Sequence, residues 1–249
     1  MSKRTRHSIA AALLLILPAV AGPAVAKCDA AMPALNLPPP PPVPLNIDKV
    51  KDRLREYHDK HYMTDMAAVF AVAQGYVERR VGQVKNPAVV LDIDETSLSN
   101  WPNIDADDFG FVADGRCDDL PKGPCGFNAW ILLAKAEAIP SALTFFKAAR
   151  SKGVAIVFIT GRRDAQRQAT LWNLDRAGYE GWAKLVTRGD GDEGTVQAFK
   201  TRERAKIAAD YTLIASIGDQ QSDIDQEPGI TAGQAECGFK LPNPFYFIR

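Results

Sequence analysis

From residue 87 onward, apolar runs of strand length alternate with segments of helical spacing. The runs "AVVLDI" (88–93), "VAIVFIT" (154–160), "KLVT" (184–187) and "TLIASIG" (212–218) are nearly continuous in branched and apolar residues, as strands covered on both faces must be. Between them the spacing predicts helices over about 138–152, stopped by Gly153, over 164–177, stopped by Gly178, and from about 200 to 210. Strand followed by helix, repeated, predicts an α/β architecture with a parallel sheet and helices on both faces. Upstream, Val50, Leu54, Tyr57, Met66, Val69, Phe70, Ala73 and Val77 fall near helical spacing, which predicts one long or broken helical region over 48–82. No internal repeat is present.

The first residues do not belong to that pattern. Lys3, Arg4 and Arg6 precede "IAAALLLILPAVAG", and the small residues "AVA" at 24–26 offer a cleavage site after Ala26. A cleaved signal peptide over 1–26 is expected, and with it a periplasmic or secreted location. The apolar run is short and contains Pro18 and Gly22, so no stable membrane span is expected after cleavage. Cys28 stands where a lipoprotein carries its acylated cysteine, but Lys27 precedes it where a small residue is required. Residues 27–47 form a proline-rich extension, in which "PPPPPVP" favours an extended strap or spacer over a core element.

Composition changes this picture little. At 249 residues, 46% hydrophobic and 24% charged, the chain can bury an ordinary core, and one main domain over 48–249 is expected. Cleavage would remove three of the 30 Lys and Arg residues and none of the 30 acids, taking the formal charge from 0 to −3. No nucleic acid polymer is therefore expected as a partner. The four cysteines all lie beyond the cleavage site, and an oxidising compartment favours disulfides. Three pairings are possible; the short, turn-like "DDLPKGP" favours Cys117 with Cys125, leaving Cys28 with Cys237. The cysteine spacings match no common zinc pattern, and His58 and His61 read as solvated surface residues on a helix.

Candidate chemistry gathers at the carboxyl ends of the predicted strands, where parallel sheets bind ligands. The first strand runs into Asp92 and Asp94, the second ends at Thr160 in "FITGRRD", and the last runs into Asp219 and Asp223 in "SIGDQQSDI". Capping or turn formation explains one acid after a strand, but two after a buried run demand compensation. Several carboxylates on one edge are best neutralised by a hard divalent cation with oxygen ligands, for which Mg2+ is the usual choice in phosphate chemistry.

Taken in order, "VVLDIDETSLSN", "FITGRRD", a lysine near a helix start, "IGDQQSDI" and "FKLPNPFYFI" resemble the haloacid dehalogenase-like (HAD) phosphohydrolases. More narrowly they resemble the acid phosphatase subfamily that includes bacterial exported acid phosphatases and plant vegetative storage proteins. The resemblance covers roughly residues 48–249. It implies a three-layer Rossmann-like α/β fold with a small cap insertion after the first core strand, here 97–137. It also implies a Mg2+-dependent hydrolysis of small phosphomonoesters through an aspartyl-phosphate. Asp92 would be the nucleophile and Asp94 the acid and base. Thr160 and Lys200 would bind the phosphoryl group, and the metal would be held by Asp92, the backbone carbonyl of Asp94, Asp219 and Asp223.

Lys200 is preferred to Lys206 because the family's lysine precedes this helix. Arg162 is a candidate for phosphate or substrate contact, a surface salt bridge being the alternative. In the insertion, Trp101, Phe109, Phe111, Phe127 and Trp130 either fill a small core of their own or stack on a substrate, and "DADDFG" fails as an EF-hand because Phe109 stands at its fifth position. The same resemblance leaves room for a non-catalytic storage or binding protein, and for a phosphotransferase.

Overall fold

The computed structural model describes residues 28, 30–40 and 43–248, so the expected signal peptide lies outside the described residues. Helix α1 (Ile47–Tyr57) opens at Asn46, whose side chain accepts from the Lys49 amide. It passes through one wider π-helical turn, His58–Tyr62, into α2 (Met63–Arg80). The predicted long helical region is thus broken at one point, where the wider turn carries Tyr62 fully into the interior.

Strand β1 (Pro87–Leu91) follows, then the small pieces β2 (Leu98–Ser99), α3 (Trp101–Ala106), α4 (Phe127–Leu133) and β3 (Glu137–Ala138). The alternation resumes with α5 (Pro140–Ser151), β4 (Ala155–Arg163), α6 (Arg167–Arg176), β5 (Lys184–Arg188), α7 (Val196–Ile207), β6 (Thr212–Gly218), α8 (Gln221–Ile224) and β7 (Cys237–Lys240). Five strands pair in the order β5-β4-β1-β6-β7, every pair parallel, while β2 and β3 make a separate antiparallel pair.

Alternation along each strand explains the two covered faces. Val89, Leu91, Ile156, Phe158 and Ile214 join a core built with Met66, Phe70, Phe145, Phe146 and Leu174 of α2, α5 and α6. Ala88, Val90, Val157, Ile159 and Leu213 turn the other way, to Phe199 and Ile207 of α7. Phe70 and Phe145 meet with ring centroids 5.5 Å apart, and burying a side chain of this kind contributes about 1.5–3 kcal/mol. The three-layer expectation holds, and Gly153 and Gly178 end α5 and α6 as predicted, with φ of +80° and +89°.

Two boundaries differ from the sequence reading. Helix α7 starts at Val196, because the Thr195 hydroxyl accepts from the Ala198 amide at 3.0 Å, so Lys200 sits in its second turn and not at its start. Strand β7 was not foreseen, since "CGFK" is short and carries Gly238.

Both preferred disulfides are present, Cys117–Cys125 and Cys28–Cys237. The second ties the proline-rich extension to β7, and the extension lies along α1 and α2 as a strap. Asn36 donates to Asp65 through its backbone N–H at 2.7 Å and its side-chain amide at 2.6 Å, Tyr57 donates to Asp65 at 2.9 Å, and Arg53 donates to the Pro39 carbonyl. Among the described residues no helix is long and apolar enough to cross a membrane.

Asp65 is buried and satisfies three donors at once. Asp65→Ala leaves those donors without an acceptor, at about 1–3 kcal/mol for a buried group. The expected outcome is a lower melting temperature and faster proteolysis within residues 30–45, read by calorimetry and by mass spectrometry of a limited digest.

Candidate active site

The site forms where the carboxyl ends of β1, β4 and β6 meet. The Asp92 amide still donates to the Ile217 carbonyl at 3.1 Å, so this residue remains in register with β6. Immediately afterwards the chain folds back on itself, the amides of Thr96, Ser97 and Leu98 all donating to the Ile93 carbonyl. Glu95 takes a φ of +49° in this turn, a conformation costing a non-glycine residue about 1–2 kcal/mol. Its buried carboxylate accepts from the Tyr62 hydroxyl at 2.6 Å and from the Asn100 amide, and burial raises its pKa to about 7.

That turn separates the two acids predicted together. Asp92 points to Lys200, whose ammonium lies 2.7 Å from its carboxylate and also pairs with Asp223. The Asp94 side chain swings to Arg162, 2.7 Å away, and to the Asn100 amide at 2.9 Å. Arg162 is 3% exposed, so its pairing is an internal one and not the surface salt bridge considered from sequence. Thr160 is fully buried at the end of β4, where its hydroxyl accepts from the Arg162 amide at 3.2 Å. Lys206 points outward and pairs with Glu203, as expected of a surface residue.

Asp219 follows β6 directly and Asp223 lies in α8. A side chain at Gly218 would overlap that of Asp223, which is why a glycine ends this strand. The Asp219 carboxylate accepts from Thr96 at 3.3 Å and from Gln220 and Asn243, both at 2.6 Å. Lys240 donates to the Asp219 carbonyl. Asp223 is placed by Arg204, a buried guanidinium that donates to the carbonyls of Ser222 and Asp223 at 2.9 and 3.0 Å and also to those of Asp225 and Gln226's side chain. Burial lowers the Arg204 pKa to about 10.

Asp92, Asp219 and Asp223 bring one carboxylate oxygen each to within 4.8 Å of one another, and all three are buried. Burial drives the Asp92 carboxyl well above its ordinary range, with the charges of Asp223 and Asp219 adding to it and Lys200 opposing. Asp219 is pushed up to about 6, first by burial and then by Asp223. For Asp94 the effect of burial is outweighed by the charge and hydrogen bonds of Arg162 and by Asn100, which hold its carboxyl low. Burial disfavours the Lys200 ammonium, but Asp223 and Asp92 more than restore it. Three hard oxygen donors against one ammonium are a donor set that fits a divalent cation. The side chain of Asp94 lies outside that set.

Several site residues were not singled out from sequence. Glu95 and Asn100 lay inside the quoted "DIDETSLSN", Asn243 inside "FKLPNPFYFI", and Arg204 one helical turn after Lys200. The histidines also differ from expectation. The ring of His58 stacks on Trp101, centroids 3.5 Å apart and 5° from parallel, because the wider turn rolls it onto the insertion. Phe245 packs against Tyr62, Trp101, His58 and Phe109, clamping the segment that carries Asn243. The insertion aromatics do not make a core of their own: Trp130 is part of the main core, Trp101, Phe109 and Phe127 pack against it partly buried, and Phe111 is 76% exposed.

Residues 43–249 match the family model of the HAD superfamily, subfamily IIIB (acid phosphatase). The chain is 32% identical over 161 residues to "Acid phosphatase 1" of Solanum lycopersicum, an overlap covering 64% of this chain and 58% of that protein. It therefore spans somewhat more than half the length of that relative. It is 32% identical over 199 residues to "Stem 28 kDa glycoprotein" of Glycine max, covering 78% and 73%. "Vegetative storage protein 2" of Arabidopsis thaliana is 27% identical, covering 80% and 71%. Among solved structures, the class C acid phosphatase from Bacillus anthracis superposes with a TM-score of 0.64 at 25% identity, covering 82% of this chain and 87% of that one.

Two outcomes follow from the geometry. Arg204→Lys cannot reach the set of carbonyls that the planar fork holds, so the affinity of the acidic cluster for a divalent cation should fall about tenfold or more, read by calorimetric titration with the fold verified by circular dichroism. His58 is half-buried between rings and beside Asp59, and burial lowers its pKa below the usual histidine range. A base whose folded pKa is depressed supports the fold fully above its unfolded pKa and loses that support as pH falls through it. His58→Phe, which keeps a ring against Trp101, should therefore flatten the fall in melting temperature between about pH 7 and pH 5.

Proposed function

Because the chain belongs to subfamily IIIB of the HAD superfamily, the acid phosphatases, we propose that it hydrolyses small phosphate monoesters outside the cytoplasm, with Asp92 as nucleophile and magnesium as its cation. The observation that carries this reading is the buried cluster of Asp92, Asp219 and Asp223 around Lys200, with Asp94 held two residues beyond the nucleophile.

Asp92 attacks phosphorus as the bond to the ester oxygen breaks, giving an aspartyl-phosphate and a leaving alkoxide. Asp94 donates its proton to that oxygen and then takes one from water, whose attack on phosphorus returns inorganic phosphate and the free Asp92 carboxylate. The Thr160 hydroxyl donates to a phosphoryl oxygen, and Lys200, already 2.7 Å from Asp92, steadies the charge that builds on the transferring group. Asp92, Asp219, Asp223 and the backbone carbonyl of Asp94 would hold the magnesium, whose charge would screen the repulsion between carboxylate and phosphate. Arg162 acts on substrate through Asp94, since its fork is already engaged there. The insertion over 97–137 covers the site and supplies substrate choice.

Export is supported by the apolar, basic-headed segment at 1–26 and by two disulfides. The names of the plant relatives favour a second reading, a storage protein on the same scaffold. Retention of both Asp92 and Asp94 weighs against it.

The test is phosphate release from a panel of nucleotides, sugar phosphates and aryl phosphates by the mature chain. Turnover should vanish with a chelator, return with magnesium, and fall by about a hundredfold or more in Asp92→Asn. A loss of less than about tenfold in a folded variant would overturn the nucleophile assignment. Release of a new phosphate ester when alcohols are added would mark a phosphotransferase.

A further inference from the structure

Trp130 lies on α4, inside the insertion, and is 2% exposed. Its indole N–H points at Asn100 Oδ1, 2.8 Å away. An indole nitrogen only donates, so the atom of Asn100 that faces it has to be the oxygen. The amide nitrogen is thereby turned toward Asp94, where Nδ2 lies 2.9 Å from Oδ1. Asn100 is 1% exposed, and its backbone N–H is held by Glu95, so it has little freedom to answer otherwise.

The Arg162 fork reaches the same carboxylate from the β4 side. Nη2 lies 2.7 Å and Nε 3.1 Å from Oδ1, whereas Oδ2 has a single contact, to Nε at 3.2 Å. Oδ1 is therefore committed to three donors, and Oδ2 is the oxygen left to carry a proton. The platform under Trp130 is rigid for its size. The Gln166 amide donates to Asn128 Oδ1 at 2.8 Å, fastening α4 to the turn after β4. The Asn103 amide donates to the Cys125 carbonyl at 2.6 Å, and Cys125 is tied to Cys117.

We propose that Trp130 and Asn100 are positioning residues for proton transfer: they fix the Asp94 carboxylate so that Oδ2 faces the leaving oxygen, and so make the acid step depend on the seating of the insertion. This rests on the reading of Asp94 as the acid and base. Trp130 touches no reacting atom and acts through Asn100.

The consequence is a dependence on the leaving group. A para-nitrophenolate departs without a proton, while the alkoxide of a glycerol phosphate needs one in the transition state. The experiment compares kcat/KM for para-nitrophenyl phosphate and glycerol phosphate, with magnesium present, in the wild type, Trp130→Phe, Asn100→Ser and Asp94→Asn. Circular dichroism and melting temperature establish folding of each.

Trp130→Phe removes the N–H together with part of the ring system while keeping an aromatic ring in place, and should lower kcat on glycerol phosphate about tenfold more than on the aryl ester, with KM little changed. Asn100→Ser should do the same, and carries the test if Trp130→Phe does not fold. Asp94→Asn sets the upper limit of the discrimination. Equal losses on both esters in the Trp130 and Asn100 variants, or no loss, would overturn the inference while the discrimination by Asp94→Asn stands. A wild type inactive on both esters, or an Asp94→Asn variant that treats them alike, would overturn the reading of Asp94 itself.

Discussion

Three carboxylates, those of Asp92, Asp219 and Asp223, meet within 4.8 Å of one another where the protein is nearly dry, and the Lys200 ammonium pairs with two of them. Burying unlike charges without good pairing costs several kcal/mol for each ion, so this cluster sets requirements for much of its surroundings. Lys200 has to arrive from α7, which is why α7 packs on the sheet face that carries Val90 and Val157. Arg204, one turn further along the same helix, then secures the short helix α8 that presents Asp223. A single helix thus supplies the balancing charge and the scaffold for one of the acids.

A second set of contacts keeps Asp94 out of that cluster. The reverse turn at Glu95, with Arg162 on one side and Asn100 on the other, assigns Asp92 and Asp94 to different environments although they are two residues apart. One carboxyl is raised by burial and its acidic neighbours, and the other is held low by a guanidinium. The two carboxyls are thus pushed in opposite directions by their surroundings although they leave the same strand end.

The periphery supports this arrangement from three directions. Phe245 sits among Tyr62, Trp101 and Phe109, and so holds Asn243 against Asp219. The strap at 30–40 is bound to Asp65 and, through Cys28, to β7, the strand that carries Lys240. The insertion reaches Asp94 through Trp130 and Asn100. Each contact acts on a site residue through one intermediary, so the site depends on packing well beyond its own atoms.

Four of the five sheet strands, the helices between them and the acids on the sheet edge were determined by sequence alone, because they are local properties. A continuous apolar run specifies a strand covered on both faces, Gly153 and Gly178 stop helices where they stand, and Asp92 and Asp219 follow their strands directly. The pairing of Cys117 with Cys125 was equally local, being eight residues apart. What the tertiary structure decided is who neutralises whom. Lys200 and Asp92 are 108 residues apart, Arg162 and Asp94 are 68 apart, and Asn243 and Asp219 are 24 apart. Nothing in the pattern around Arg162 distinguishes a surface pair from a buried one, nor around His58 a solvated ring from one stacked on Trp101. Those outcomes depend on how separate elements approach one another in space, and the energy of a charge or a ring is set by what surrounds it, not by what precedes it in the chain.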